Sequence, residues 1–138
     1  MEELIQRVVL SLGIDEELAK TVIGLIFNMF KENGEAGAVE TLMNAMPGSA
    51  DLASAAAGTL SDGDSDSGGL GGMLGAAASL LGGDSPAMAL VGQLTGAGLS
   101  INQAKDLGTE VMNFANDKAG SDVVAQVASS IPGLDQLL

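Results

Sequence analysis

The sequence predicts an all-α protein: two three-helix units related by an internal repeat and packed with a Gly/Leu-rich central helix. Three observations carry this. Apolar residues recur at helical spacing through both ends of the chain, and no stretch keeps a two-residue alternation. Residues 4–52 fall on residues 89–137 at a constant offset of 85, without gaps. There is no Trp or Tyr, and the only aromatics are Phe27, Phe30 and Phe114, so Ala, Leu, Val, Ile and Met must fill the core. Small and flexible side chains suit closely packed helices better than a β-sandwich.

The offset aligns eight identical residues: Gly13/Gly98, Ala19/Ala104, Lys20/Lys105, Asn28/Asn113, Val39/Val124, Pro47/Pro132, Gly48/Gly133 and Leu52/Leu137. Shared caps, breakers and apolar stripes weigh more than these identities. The expected organisation is a helical unit over residues 1–57, a linker with an amphipathic helix (70–82) over 58–83, and a second unit over 84–138, together one compact domain.

The first helix spans about residues 2–12, with Leu4, Ile5, Val8, Val9 and Leu12 along one side. Its counterpart opens at Asp84-Ser85-Pro86, an N-cap followed by Pro at the first helical position. It carries Leu90, Val91, Leu94 and Ala97. Gly13 and Gly98 sit just past the helix ends, where a left-handed backbone favours Gly.

The second helix starts after Asp15 in one unit and Ser100 in the other. Ser100-Ile101-Asn102-Gln103 fits a capping box, whereas Asp15-Glu16-Glu17 places negative charge on the first turn. The inward stripe is Ala19, Val22, Ile23, Ile26 and Phe30, matched by Ala104, Leu107, Gly108, Val111 and Ala115. Leu25, Phe27 and Met29 add apolar surface on other faces, so this helix is expected to lie centrally or to meet a partner. Lys31 and Lys118 suit the negative end of the helix dipole.

The third helix carries Val39, Leu42, Met43 and Met46 in one unit and Val124, Val127, Ala128 and Ile131 in the other. Both stop at Pro-Gly, since Pro prevents a clean continuation and Gly allows the turn. Residues 58–69, rich in Gly, Ser and Asp, read as a hinge or solvated loop. From Leu70 a stripe of Leu70, Met73, Leu74, Ala77, Leu80 and Leu81 returns, with Gly, Ala and Ser on its other faces. Small residues let helices approach closely, so this segment is expected to slot between the units.

The net charge of −13 is distributed as −6 over residues 1–52, −4 over 53–84 and −3 over 85–138. That field repels phosphate backbones and anionic membrane surfaces, so neither nucleic acid nor membrane is an expected partner. With no Cys and no His, disulfides, the usual structural zinc sites and Cys or His nucleophiles are excluded. Met1-Glu2-Glu3 opens acidic, without a basic region before an apolar stretch. No secretory signal is therefore expected, and a cytoplasmic location follows by default.

Leu12-Gly13-Ile14-Asp15, Met46-Pro47-Gly48, the Gly/Leu-rich middle and the run Asn113-Phe114-Ala115-Asn116-Asp117-Lys118-Ala119-Gly120 form a recognisable pattern. Together they resemble the VcgC/VcgE-type family of uncharacterised bacterial proteins, over nearly the whole chain. The resemblance implies a bacterial, helical protein with no established activity, so it brings no functional residues to this chain. Its motifs are helix punctuation and apolar spacing.

Chemistry-bearing patterns are few. Asp62, Asp64 and Asp66 resemble the start of a calcium loop, but Ser67 stands where Gly is required and Met73 where Glu is required. A solvated acidic loop explains them without a metal. Glu16/Glu17, Glu32/Glu35 and Asp106/Glu110 are the nearest carboxylate pairs, and none has a nucleophile or neutral base beside it. Gly68-Gly69-Leu70-Gly71-Gly72 lacks the Lys and the preceding strand of a phosphate loop. Lys20 and Lys105, equivalent in the repeat, read as exposed helix lysines. The uncharged run 67–83 is 17 residues long and diluted by Gly and Ser, short of the roughly 20 apolar residues a membrane span needs.

The sequence thus reads as a noncatalytic, cofactor-free helical protein that acts by interaction or as a structural part, and that self-associates. Phe27, Phe30, Leu70 and Leu74 are the expected interface residues, because residues 18–30 and 70–81 carry more apolar surface than one three-helix unit hides. The alternatives are membrane association through residues 67–83 and carriage of a small apolar ligand.

Overall fold

The computed structural model describes residues 1–61 and 86–133, and among them it contains seven helices. These are α1 (Glu2–Leu12), α2 (Glu16–Asn33), α3 (Ala36–Ala45), α4 (Ser49–Ser61), α5 (Pro86–Gly96), α6 (Ile101–Ala119) and α7 (Ser121–Ser130). The all-α expectation holds.

The helix ends follow the local chemistry. Gly13 closes α1 in the left-handed conformation (φ 67°, ψ 34°), and its N–H donates to the Val9 carbonyl. Only Gly adopts this backbone without steric cost. The capping box forms at the start of α6: the Ser100 hydroxyl accepts from the Gln103 N–H while the Gln103 side chain accepts from the Ser100 N–H. Asp15 precedes α2 without a side-chain cap bond, so its contribution is charge near the helix start.

α2 is the organising element. Its nine residues Val22–Phe30 are all buried, and a helix that is apolar all round belongs inside a protein. It touches α1, α3, α4, α5 and α6. The closest of these contacts is with α4, where Gly24 faces the Leu52 carbonyl and Ala56. Ala53 and Ala56 are buried there, so a face of Ala and Gly brings two helix backbones together.

α4 departs from the sequence reading. The third helix stops before Pro47-Gly48 as read, but the turn, with Gly48 at φ 94°, leads directly into a further helix that the three-helix unit did not include. The buried Ser49 makes the transition: its N–H donates to the Met46 carbonyl and its hydroxyl to that of Met43. The helix continues to Ser61, into the stretch 58–69 read as a loop. Ala-rich sequence has the highest helix propensity, and packing on α2 supplies the rest.

α1 lies antiparallel along α6. Glu3 pairs with Lys118 at 3.5 Å near one end, and the Gln103 side chain donates to the Leu12 carbonyl at 2.9 Å near the other. α5 packs on α2, and α3 packs on α7, where the Ser130 hydroxyl accepts from the Glu35 N–H at the start of α3. One hydrophobic cluster runs through both ends of the chain, from Leu4 and Phe27 to Phe114 and Ile131. The expected central helix over 70–82 lies outside the described residues.

Candidate functional site

Of the expected interface residues, Phe27 and Phe30 belong to the chain's own core. Both are at most 1% exposed, and their rings meet edge to face at 6.0 Å. The sequence reading correctly gave α2 surplus apolar surface, but α4 and α5 cover that surface within the same chain. Leu70 and Leu74, the acidic triplet Asp62, Asp64 and Asp66, and the run 67–83 lie outside the described residues.

Glu16 and Glu17 both pair with Lys20, at 2.7 and 3.6 Å, one turn along α2. The Glu16 hydrogen bond raises the Lys20 pKa above its ordinary value, partial burial works against it, and the charges of Glu16 and Glu17 add to the rise. Lys20 is therefore engaged locally. Among the described residues no group of three or more acidic side chains could hold a metal ion, and no helix is long and apolar enough to cross a membrane.

Among the described residues the exposed large apolar side chains are Leu10, Met88 and Ile101, one each on α1, α5 and α6. Leu10 is 84% exposed and edges a shallow groove with Ile5 and Val9. Single exposed hydrophobics are ordinary on a protein surface.

A partly polar recess lies between α2 and the start of α5. Asn28, 8% exposed, sits in the fully buried run of α2, and its amide reaches solvent at this recess. It borders a cavity of about 120 Å³ together with Gln93 of α5 and with Glu32 and Asn33 in the last turn of α2. Leu25, Met29 and Leu90 form its apolar side. The Asn33 amide donates to the Met29 carbonyl at 3.2 Å, which leaves its oxygen as an acceptor. Sequence reasoning aligned Asn28 with Asn113 as a repeat identity and missed this recess. The available signal was a lone amide inside an otherwise apolar helix.

In comparisons with known proteins, no family model, no curated protein and no solved structure matches this chain.

Proposed function

We propose that the chain is a noncatalytic helical protein, structural or protein-binding, built from two related three-helix units. The observation that carries the reading is reciprocal packing. The first helix of each unit lies on the second helix of the other, α1 on α6 and α5 on α2, and the third helices α3 and α7 pack together. The offset of 85 also relates the starts of the corresponding helices to within one residue, and it relates the positive-φ glycines Gly13 to Gly98 and Gly48 to Gly133. Two units that interlock in this way suit a stable body with surfaces to present. Affiliation with the VcgC/VcgE-type family belongs to the same proposal, on helix punctuation alone.

Self-association belongs to the proposal as well, but through a different surface. With Phe27 and Phe30 enclosed, the contact is placed at the α1 face of Leu10, the most exposed large apolar side chain among the described residues. Light scattering on the full chain over a range of concentration and salt tests it. A mass of twice 13.7 kDa that returns to one chain in a Leu10→Asp variant supports association through this face. A single-chain mass under all conditions removes self-association and leaves the structural reading.

A further inference from the structure

We infer that Asn33-Gly34, where α2 ends, is a self-modification site: a latent deamidation centre held shut by the helix end and opened when the last turn frays. Asparagine is a thermolabile residue, and its reactivity depends on the residue that follows it. Asn33-Gly34 is the one Asn-Gly pair of the sequence; every other asparagine precedes a residue with a side chain. The Gly34 nitrogen, giving up its proton, attacks the Asn33 Cγ. The Cγ–Nδ2 bond breaks, and ammonia leaves with that proton. The five-membered imide then takes up water at either carbonyl. It opens to an aspartyl residue or to an isoaspartyl link, in which the main chain runs through the side-chain carbon. A side chain on the following residue hinders the attack, and glycine has none.

The fold both imposes this pair and restrains it. A Cβ at position 34 would lie 2.5 Å from the Phe30 carbonyl oxygen and 2.5 Å from the Val39 Cγ2, so the close approach of α3 to the end of α2 requires glycine. Both reacting groups are tied to the preceding helical turn. The Gly34 N–H donates to the Phe30 carbonyl at 2.8 Å, and the Asn33 Nδ2 donates to the Met29 carbonyl at 3.2 Å. Asn33 is nevertheless exposed and stands at a helix terminus, where opening is least costly and water reaches the imide.

The product cannot restore these bonds. An aspartate at position 33 has no N–H₂ for the Met29 carbonyl, and its charge falls at the negative end of the α2 dipole, beside Glu32 and Glu35. An isoaspartyl link inserts a carbon before Gly34 and displaces the N–H that closes the helix. The next N–H, of Glu35, is anchored on the Ser130 hydroxyl at 3.0 Å, which ties the start of α3 to α7. Deamidation therefore loosens the contact of α3 with α7, irreversibly and without any partner.

The test compares the full chain incubated at neutral pH in its native state and unfolded in guanidinium chloride. Cleavage after Glu32 and Glu35 releases the segment 33–35, whose asparaginyl, aspartyl and isoaspartyl forms are separated by chromatography and mass. Native conversion is expected to be slower by roughly tenfold to a hundredfold, the hold of two hydrogen bonds. Ser130→Ala removes the Glu35 anchor; it should speed native conversion by roughly twofold to tenfold and leave the unfolded rate unchanged. Asn33→Gln, which would need a six-membered ring, stays unmodified. In Asn33→Asp, hydrogen exchange should quicken from Glu35 to Val39 while α1 and α6 keep their protection. Equal native and unfolded rates overturn the proposal, since the fold would then gate nothing. So does the lack of any conversion in both the native chain and native Ser130→Ala, which would leave global unfolding as the only route. Unchanged exchange in Asn33→Asp overturns the loosening of α3.

Discussion

The Gln103 side chain bridges two helices: its Nε2 donates to the Leu12 carbonyl at 2.9 Å while its Oε1 accepts from the Ser100 N–H at 2.9 Å. One residue thereby satisfies an orphan donor at the start of α6 and an orphan carbonyl at the end of α1. Gln103→Ala removes both bonds and should cost about 1–2 kcal/mol, read as a lower urea midpoint at unchanged slope. Gln103→Glu keeps the acceptor and loses the donor, so its midpoint falls between those of wild type and Ala. Equal midpoints for wild type and both variants would show that the bridge contributes nothing.

Gly24 and Gly37 should respond in opposite directions to the same substitution. A helical Gly→Ala change ordinarily stabilises by ~1 kcal/mol, because Gly loses more backbone freedom on folding. At Gly37 an added Cβ meets nothing within 4 Å, so Gly37→Ala gains stability. At Gly24 the Cβ would press on the Leu52 carbonyl, which is backbone and cannot rotate away, and on Ala56. Gly24→Ala must therefore push α4 off α2 and should cost about 1–3 kcal/mol. Thermal unfolding of the two variants against wild type reads the pair, and a stabilised Gly24→Ala would mean that α4 is loosely held.

Most of the fold was legible because its signals are local. Gly13, the Ser100–Gln103 box and the stripes of α1, α2 and α3 each declare themselves within a few residues, and the helices start and stop within the few residues that such signals allow. α4 was not legible. Its sequence Ser-Ala-Asp-Leu-Ala-Ser-Ala-Ala-Ala-Gly-Thr-Leu-Ser has only Leu52 and Leu60 as large apolar residues, so no stripe marks the face that meets Gly24. Its packing depends on the absence of bulk, which periodicity does not register. The same limit hid the recess, since Ala89, which stands at the place of Leu4 in the repeat, matters only once α5 is known to lie on α2. Phe27 and Phe30 were read correctly as surplus apolar surface, but sequence cannot say whether such surplus meets another molecule or another helix of the same chain.

Lys20 predicts a weak alkaline dependence. Its folded pKa is raised above the ordinary 10.5, chiefly by the Glu16 hydrogen bond, against partial burial and with help from the charges of Glu16 and Glu17. A cation stabilised by folding contributes fully below its unfolded pKa, and that contribution disappears as pH rises through the folded value. The pair is exposed, so the effect is small. Melting temperatures from ~pH 9 to ~pH 11.5 should fall slightly more steeply in wild type than in Lys20→Gln, and Glu16→Gln should flatten the curve alike. Parallel curves for all three would show that the ion pair is not maintained in solution.

Phe27 separates a core role from an interface role. The ring is fully buried and packs edge to face on Phe30, in a helix enclosed by α4 and α5. Removing it leaves a cavity, and such a truncation costs about 3–5 kcal/mol by lost transfer energy and incomplete collapse around the gap. Phe27→Leu keeps most of the volume and should cost much less. The decisive comparison is with chain concentration. Loss of a core side chain lowers the denaturation midpoint equally at all protein concentrations, whereas loss of an intermolecular contact lowers it chiefly where association had raised it. Chemical denaturation of Phe27→Ala and Phe27→Leu at two concentrations a hundredfold apart should therefore give superimposable midpoints for each variant. A midpoint that rises with concentration in wild type but not in Phe27→Ala would place this ring between chains.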